Sequence, residues 1–265
     1  MLVERAQVRL GIDRGSAYRM SRIFHHASRP EAPQPRRDSM APNLPECFTD
    51  RADAGRRLAH ALHGYADRRD VVVLALPRGG VPVAFPVAQA LRAPLDLLIV
   101  RKLGMPSDPE LAIGALATGG AIHLRHAAIR AMGVTRDQLA DVIAREAAEL
   151  QRRDALYRGA RPPLPVEGRV VIVVDDGVAT GASMRVALQA LRARRPARIV
   201  AAVPVAPAGA AHMFDDVADA FVTVLQPARF FGIGQFYADF DQVGDDEVRA
   251  LLDAARARHD GISPA

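Results

Sequence analysis

The chain reads as an α/β domain with a central, mainly parallel sheet flanked by helices on both faces. Three observations lead there. Short aliphatic runs recur at 71–76, 96–101, 170–175, 198–204 and 220–225, and runs of that length without polar alternation fit strands buried on both faces. Stretches at helical spacing separate them, so strand and helix alternate. Glycine-bearing joints follow two of the strands directly, which puts them at the carboxyl edge where open parallel sheets bind ligands.

The first 39 residues hold eight Arg against Glu4, Asp13, Glu31 and Asp38, so they supply +4 of the formal +5 charge. With His25, His26, Pro30, Pro33 and Pro35 among them, residues 1–39 are expected to be a flexible basic extension, and 40–265 the folded domain. The overall pI of about 10.1 would suggest a nucleic-acid partner. Residues 40–265 are nearly neutral, however, which argues against a phosphate-tracking surface. Cys47 is the single cysteine, so no intramolecular disulfide can form and a cytoplasmic location is expected. No apolar stretch approaches the roughly 20 residues that cross a bilayer.

Thr49 or Asp50 can cap a helix to about Gly64, with Ala54, Leu58, Ala61 and Leu62 on one face. Strand 71–76 leads through Pro77-Arg78-Gly79-Gly80 into a helix ending near Leu91. After strand 96–101, the segment from Lys102 to Gly120 dissolves into Gly, Pro and Asp and reads as a long loop, with a short strand at 121–124. Thr135 to Tyr157 forms a helix carrying Leu139, Ile143, Ala147 and Leu150 at helical spacing. Its Arg145, Glu146, Glu149, Arg152 and Arg153 read as a solvated face. Asp245 to Arg256 is the final helix. His60 with His63 and His123 with His126 are spaced three apart, but neither pair has a third ligand at a suggestive distance, so no protein metal site is assigned.

The most informative stretch runs from Val170 to Ser183. Five aliphatic residues end in Asp175 and Asp176, and a loop of small residues then opens an amphipathic helix. Backbone N–H groups at a helix N-terminus bind a phosphate. Carboxylates one step earlier accept hydrogen bonds from vicinal hydroxyls, so the pair of features suits a ribose 5-phosphate. A Walker loop would need Gly-x4-Gly-Lys-Ser/Thr, which is missing. A dinucleotide fold would need Gly-x-Gly-x-x-Gly after the first strand, where this chain has Pro-Arg-Gly-Gly. A phospho-receiver would spread its acids over separate strands.

This run resembles the signature of the type I phosphoribosyltransferases: an apolar strand, two acids, variable residues, then Thr-Gly-x-Thr/Ser. Asp175, Asp176, Thr180, Gly181 and Ser183 match, while Gly177 and Ala179 depart from the usual residues. Arg101-Lys102-Leu103-Gly104, Glu110 and Ile113-Gly114 further resemble a bacterial subgroup of that family, over about Phe48 to Leu252. The resemblance implies a small hood at about 226–245 and a mobile lid at about 103–120. Asp175, Asp176 and Lys102 are the implied catalytic residues; Lys102 is the one lysine of the chain. Val178, Ala179, Thr180, Gly181, Ala182 and Ser183 would bind the 5-phosphate, and Arg78, Gly79, Gly80 and Arg101 the pyrophosphate, on a loop that in the family often carries a non-proline cis peptide. Phe230, Phe231 and Tyr237 would supply the acceptor pocket.

The implied partners are phosphoribosyl diphosphate and a nucleobase-like acceptor, with Mg2+ bound mainly through the diphosphate, no membrane, and a homodimer as the simplest assembly. A regulatory protein that senses phosphoribosyl diphosphate or a nucleotide without transfer is the alternative. A phosphatase or phosphorylase acting on sugar phosphates is a third class.

Overall fold

A computed structural model describes residues 47–262, and the basic extension at 1–39 lies outside them. In chain order the elements are α1 (Arg51–Ala61), β1 (Val71–Ala75), α2 (Gly80–Leu91), β2 (Leu95–Leu97), β3 (Val100–Met105), β4 (Asp108–Ala117) and β5 (Ala121–Leu124). They continue as α3 (His126–Ala131), α4 (Arg136–Arg158), β6 (Val170–Val174), α5 (Ala182–Arg192), β7 (Arg198–Val205), β8 (Ala220–Leu225) and α6 (Asp245–Ile262). Five strands form a parallel sheet in the order β2-β1-β6-β7-β8.

Every side chain of β1 and β6 is buried, which is why these strands lack polar alternation. Side chains still alternate between faces. Val71, Val73, Ala75, Ile172 and Val174 face a core shared with α1, α2, α4 and α6, while Val72, Leu74, Val171 and Val173 face α5 and the second sheet. Each fully buried Val or Ile stabilises the fold by about 1.5–3 kcal/mol relative to exposure, so these two central strands are the rigid floor beneath the site. Asp50 caps α1, and a reciprocal Thr135–Gln138 capping box opens α4.

Two expectations are corrected. The strand expected at 96–101 is broken: β2 stays in the parallel sheet, whereas β3 joins a separate antiparallel sheet in the order β3-β4-β5. The expected loop from Lys102 to Gly120 is therefore mostly a hairpin, with Val100 opposite Ala117 and Leu103 opposite Gly114. Leu103, Ile113, Ala115, Leu116 and Ala117 are buried, and since Ala115, Leu116 and Ala117 are consecutive both faces of β4 are covered there; this burial outweighs the weak strand propensity of the glycines and Pro109. Gly104 sits where a Cβ would lie 2.4 Å from the Pro109 carbonyl oxygen, so this glycine permits the close backbone approach at a register shift. The short helix α3 has no counterpart in the sequence pattern, and α6 runs beyond Arg256.

One buried ionic knot fixes α4 to the sheet. The Arg158 guanidinium donates to Asp96 of β2 at 2.9 Å and to the Leu97 carbonyl at 2.6 Å, and also pairs with Asp154. Asp96 in turn accepts the Leu164 N–H at 2.9 Å. Removing one partner of such a pair strands a charge in the interior. Asp96→Ala is expected to destabilise the protein by about 3–5 kcal/mol, read as a lowered denaturant midpoint; a loss below about 1 kcal/mol would show that the knot is not a structural anchor.

Candidate functional site

The strand order reverses between β1 and β6: the chain passes from β1 outward to β2, then returns to β6 on the other side of β1. Such a switch point opens a crevice at the strand carboxyl ends. Ala75 is level with Val174, and the Leu76 N–H donates to the Val174 carbonyl at 2.9 Å. That register sets the loop after β1 beside the acid pair after β6, although about a hundred residues separate them.

Glycine is required at this seam. A Cβ on Gly79 would stand 2.2 Å from Asp176 Oδ2, and one on Gly80 would stand 2.6 Å from the Val174 carbonyl oxygen. The peptide between Pro77 and Arg78 is cis. An open cavity of about 190 Å³ lies beyond the acids, lined by the whole run from Asp175 to Met184 and by Ile233. A single water needs only about 10–15 Å³, so the space suits a larger polar ligand. Gly181, at φ 72°, precedes α5 in the left-handed region, which glycine adopts without strain.

The acids are not equivalent. Burial pushes the Asp175 carboxyl well above the usual carboxylate range, and the neighbouring Asp176 charge adds to the effect. Burial also raises Asp176, but here a hydrogen bond from Arg51 opposes it. Arg51 Nε donates to Asp176 Oδ2 at 2.9 Å, with the two side chains only 12% and 14% exposed. The sequence places no cation beside the pair; the cation comes from α1, 125 residues away, and no local pattern signals it.

The other expected site residues are distributed unevenly. Ala179, Thr180, Gly181, Ala182 and Ser183 line the cavity with the acids. Val178 also lines the cavity, but its expected role as an amide donor is corrected: it is buried and its N–H donates to the Val205 carbonyl at 3.0 Å. Arg78 points into a neighbouring cavity of about 260 Å³ shared with Arg152, Arg153, Tyr157 and Asp245, its Nη1 3.7 Å from Asp245. Arg152 and Arg153, expected on a solvated face, both border this cavity while pairing with Glu149.

Arg101 is held by Glu146 of α4 at 2.7 Å, and Lys102 lies exposed on β3. Phe231 is 90% exposed. Phe230 instead stacks on Phe236 with centroids 5.5 Å apart. Tyr237 is corrected from pocket to core: it is buried, its ring tilts against Phe48, and its hydroxyl donates to the Asp176 carbonyl at 2.6 Å. Buried aromatics near glycines look the same in sequence as exposed ones.

The family model described as "Phosphoribosyl transferase domain" matches residues 48–235. The chain belongs to the type I phosphoribosyltransferase family. It is 46% identical over 208 residues to "Putative phosphoribosyl transferase Rv0571c" of Mycobacterium tuberculosis, covering 78% of this chain and 47% of that protein. The chain thus spans about half the length of the curated relatives it matches. Among solved structures, that of the Thermus thermophilus protein TT1426 superposes with a TM-score of 0.70 at 42% identity, over 78% of this chain and 97% of the other.

One departure from the family pattern has a physical reason. A Cβ on Gly177 would lie 2.6 Å from Ile233 Cγ2, so the Ile233 side chain fills the space that an aliphatic residue usually takes.

The raised Asp175 makes a pH prediction. A carboxyl whose folded pKa exceeds its unfolded value costs nothing below the unfolded value, and its penalty grows as pH rises toward the folded pKa. Asp175→Asn is therefore expected to raise the melting temperature at pH 7–8 and to have much less effect at pH 4, measured by calorimetry. An equal effect at both values would contradict this assignment.

Proposed function

We propose that the protein transfers a 5-phosphoribosyl group from 5-phosphoribosyl 1-diphosphate to a nitrogen heterocycle and releases pyrophosphate. The contact of the Gly79-Gly80 loop with Asp175 and Asp176, at the mouth of a small-residue loop leading into α5, carries this reading. Hydroxyl acceptors and anion donors stand there within the span of one sugar phosphate.

Breaking the anomeric C–O bond builds positive charge on the ribose and negative charge on the leaving group. Asp176, held by Arg51, would accept a ribosyl hydroxyl and favour the developing cation. Asp175, more readily protonated, would share the second hydroxyl. Amides of Ala179 to Ala182, with the Thr180 and Ser183 hydroxyls, would hold the 5-phosphate and fix the anomeric carbon in line. Gly79 and Gly80 would let their backbone approach the diphosphate, and Arg78 would meet it from the adjoining cavity. Arg101 could join only by leaving Glu146.

The β3–β4 hairpin would bring Lys102 over the donor and exclude water, its buried base anchored and its exposed tip moving. Phe231 would stack on the acceptor ring. Mg2+ would be held by the diphosphate oxygens and water; among the described residues no three His, Cys, Asp or Glu side chains cluster to form a cage. No helix among them is long and apolar enough to cross a membrane.

A screen of nucleobases with the donor, read by pyrophosphate release, tests the proposal. Turnover is expected with at least one heterocycle and is expected to vanish in Asp175→Asn/Asp176→Asn with helicity retained. Donor binding without turnover for any acceptor would favour a sensing regulator. Lys102→Ala is expected to lower kcat about a hundredfold, roughly 2.7 kcal/mol, while weakening donor binding far less. Unchanged kcat would remove Lys102 from the chemistry.

A further inference from the structure

The Arg51 side chain is more constrained than a surface ion pair requires. Its Nε donates to Asp176 Oδ2 at 2.9 Å, its Nη1 donates to the Asp241 carbonyl at 2.8 Å, and its guanidinium lies 3.9 Å from the centre of the Phe240 ring. Phe240 packs on Tyr237, whose hydroxyl grips the Asp176 backbone. The helix that carries Arg51 is itself seated closely: a Cβ on Gly55 would come within 2.3 Å of the Val83 carbonyl oxygen on α2. The guanidinium fork is thus placed from outside the acid motif.

We propose that Arg51 is a positioning residue of the site: by holding Oδ2 it fixes the orientation of Asp176 and keeps the negative charge of the acid pair there, turning Oδ1 over to the sugar diol. Two adjacent carboxyl groups, both partly stripped of water, do not readily ionise together. An opposite charge on one of them decides which member is the anion. The groups facing Asp176 are Arg51 from α1, Asp175 from its own strand end, Tyr237 from the segment after β8, and the backbone at Gly79, while the Arg78 side chain turns away toward Asp245. Arg51 is the one cation of this set in contact with the pair. Tyr237 bonds the backbone of Asp176, not its carboxylate, so it fixes position without setting charge.

The inference rests on the transfer reading, and its test separates the two. Carboxyl titration of 13C-aspartate-labelled, unliganded protein, with Asp176→Asn to assign the signal, follows Asp176 directly. Arg51→Met, which keeps the packing on Phe240, is expected to move the Asp176 midpoint upward by on the order of one pH unit. Arg51→Lys is expected to keep it near wild type, and Tyr237→Phe to leave it unmoved. Calorimetry with 5-phosphoribosyl 1-diphosphate and Mg2+ at pH 7 is expected to show about tenfold weaker binding for Arg51→Met, partly restored by Arg51→Lys.

An unmoved midpoint in Arg51→Met, or an equal shift in Tyr237→Phe, overturns the role of Arg51 whether or not the donor binds. A wild-type protein that fails to bind the donor, with the Asp176 midpoint still controlled by Arg51, overturns the transfer reading instead. Should Arg51→Met fail to fold, Arg51→Gln takes its place: an upward shift of the Asp176 midpoint supports the proposal, and an unmoved midpoint contradicts it.

Discussion

The register of two neighbouring parallel strands, Ala75 beside Val174, is the constraint on which the site depends. It carries the loop after β1 against the acids after β6, and the approach is so close that neither Gly79 nor Gly80 can take a side chain without meeting the acid pair or its backbone. The aliphatic runs of both strands follow from the same requirement. A seam buried on two faces needs aliphatic side chains throughout, and its rigidity is transmitted to whatever the two loops hold.

The electrostatics of the seam run against stability. Two carboxyl groups at the end of a buried strand lose hydration, and the fold answers with the partly buried Arg51 and a tyrosine hydroxyl at the Asp176 backbone. Functional sites commonly hold charge that the resting fold would do better without. The same segment after β8 that supplies Tyr237 also places Ile233 against Gly177, so a side chain at that position of the motif would meet the covering segment.

What is legible in the sequence is what local pattern encodes. Continuous aliphatic runs mark the parallel strands, helical spacing with Thr135 and Gln138 marks α4, and the acid pair followed by Thr180-Gly181 marks the loop into α5. The hairpin of β3 and β4 is hidden because its strand pattern is interrupted by Gly104, Pro109 and Gly114, and only burial against α4 and α5 makes it a sheet. Arg51, the Arg101–Glu146 pair and the buried orientation of Tyr237 depend on chain segments far apart in sequence, which a single sequence without its fold does not bring together. Val178 departs from its expected role for a related reason: its N–H belongs to a bond with β7 that a motif read along one strand does not include.

In the proposed transfer, the acid pair and the loop into α5 together hold one phosphoribosyl group. A crystal structure of the protein with 5-phosphoribosyl 1-diphosphate and Mg2+ tests it most directly. The 5-phosphate is expected on the amides between Ala179 and Ala182, the ribosyl hydroxyls on Asp175 and Asp176, and the diphosphate over Gly79-Gly80. Donor bound elsewhere, or bound with the ribosyl hydroxyls turned away from both acids, would contradict it.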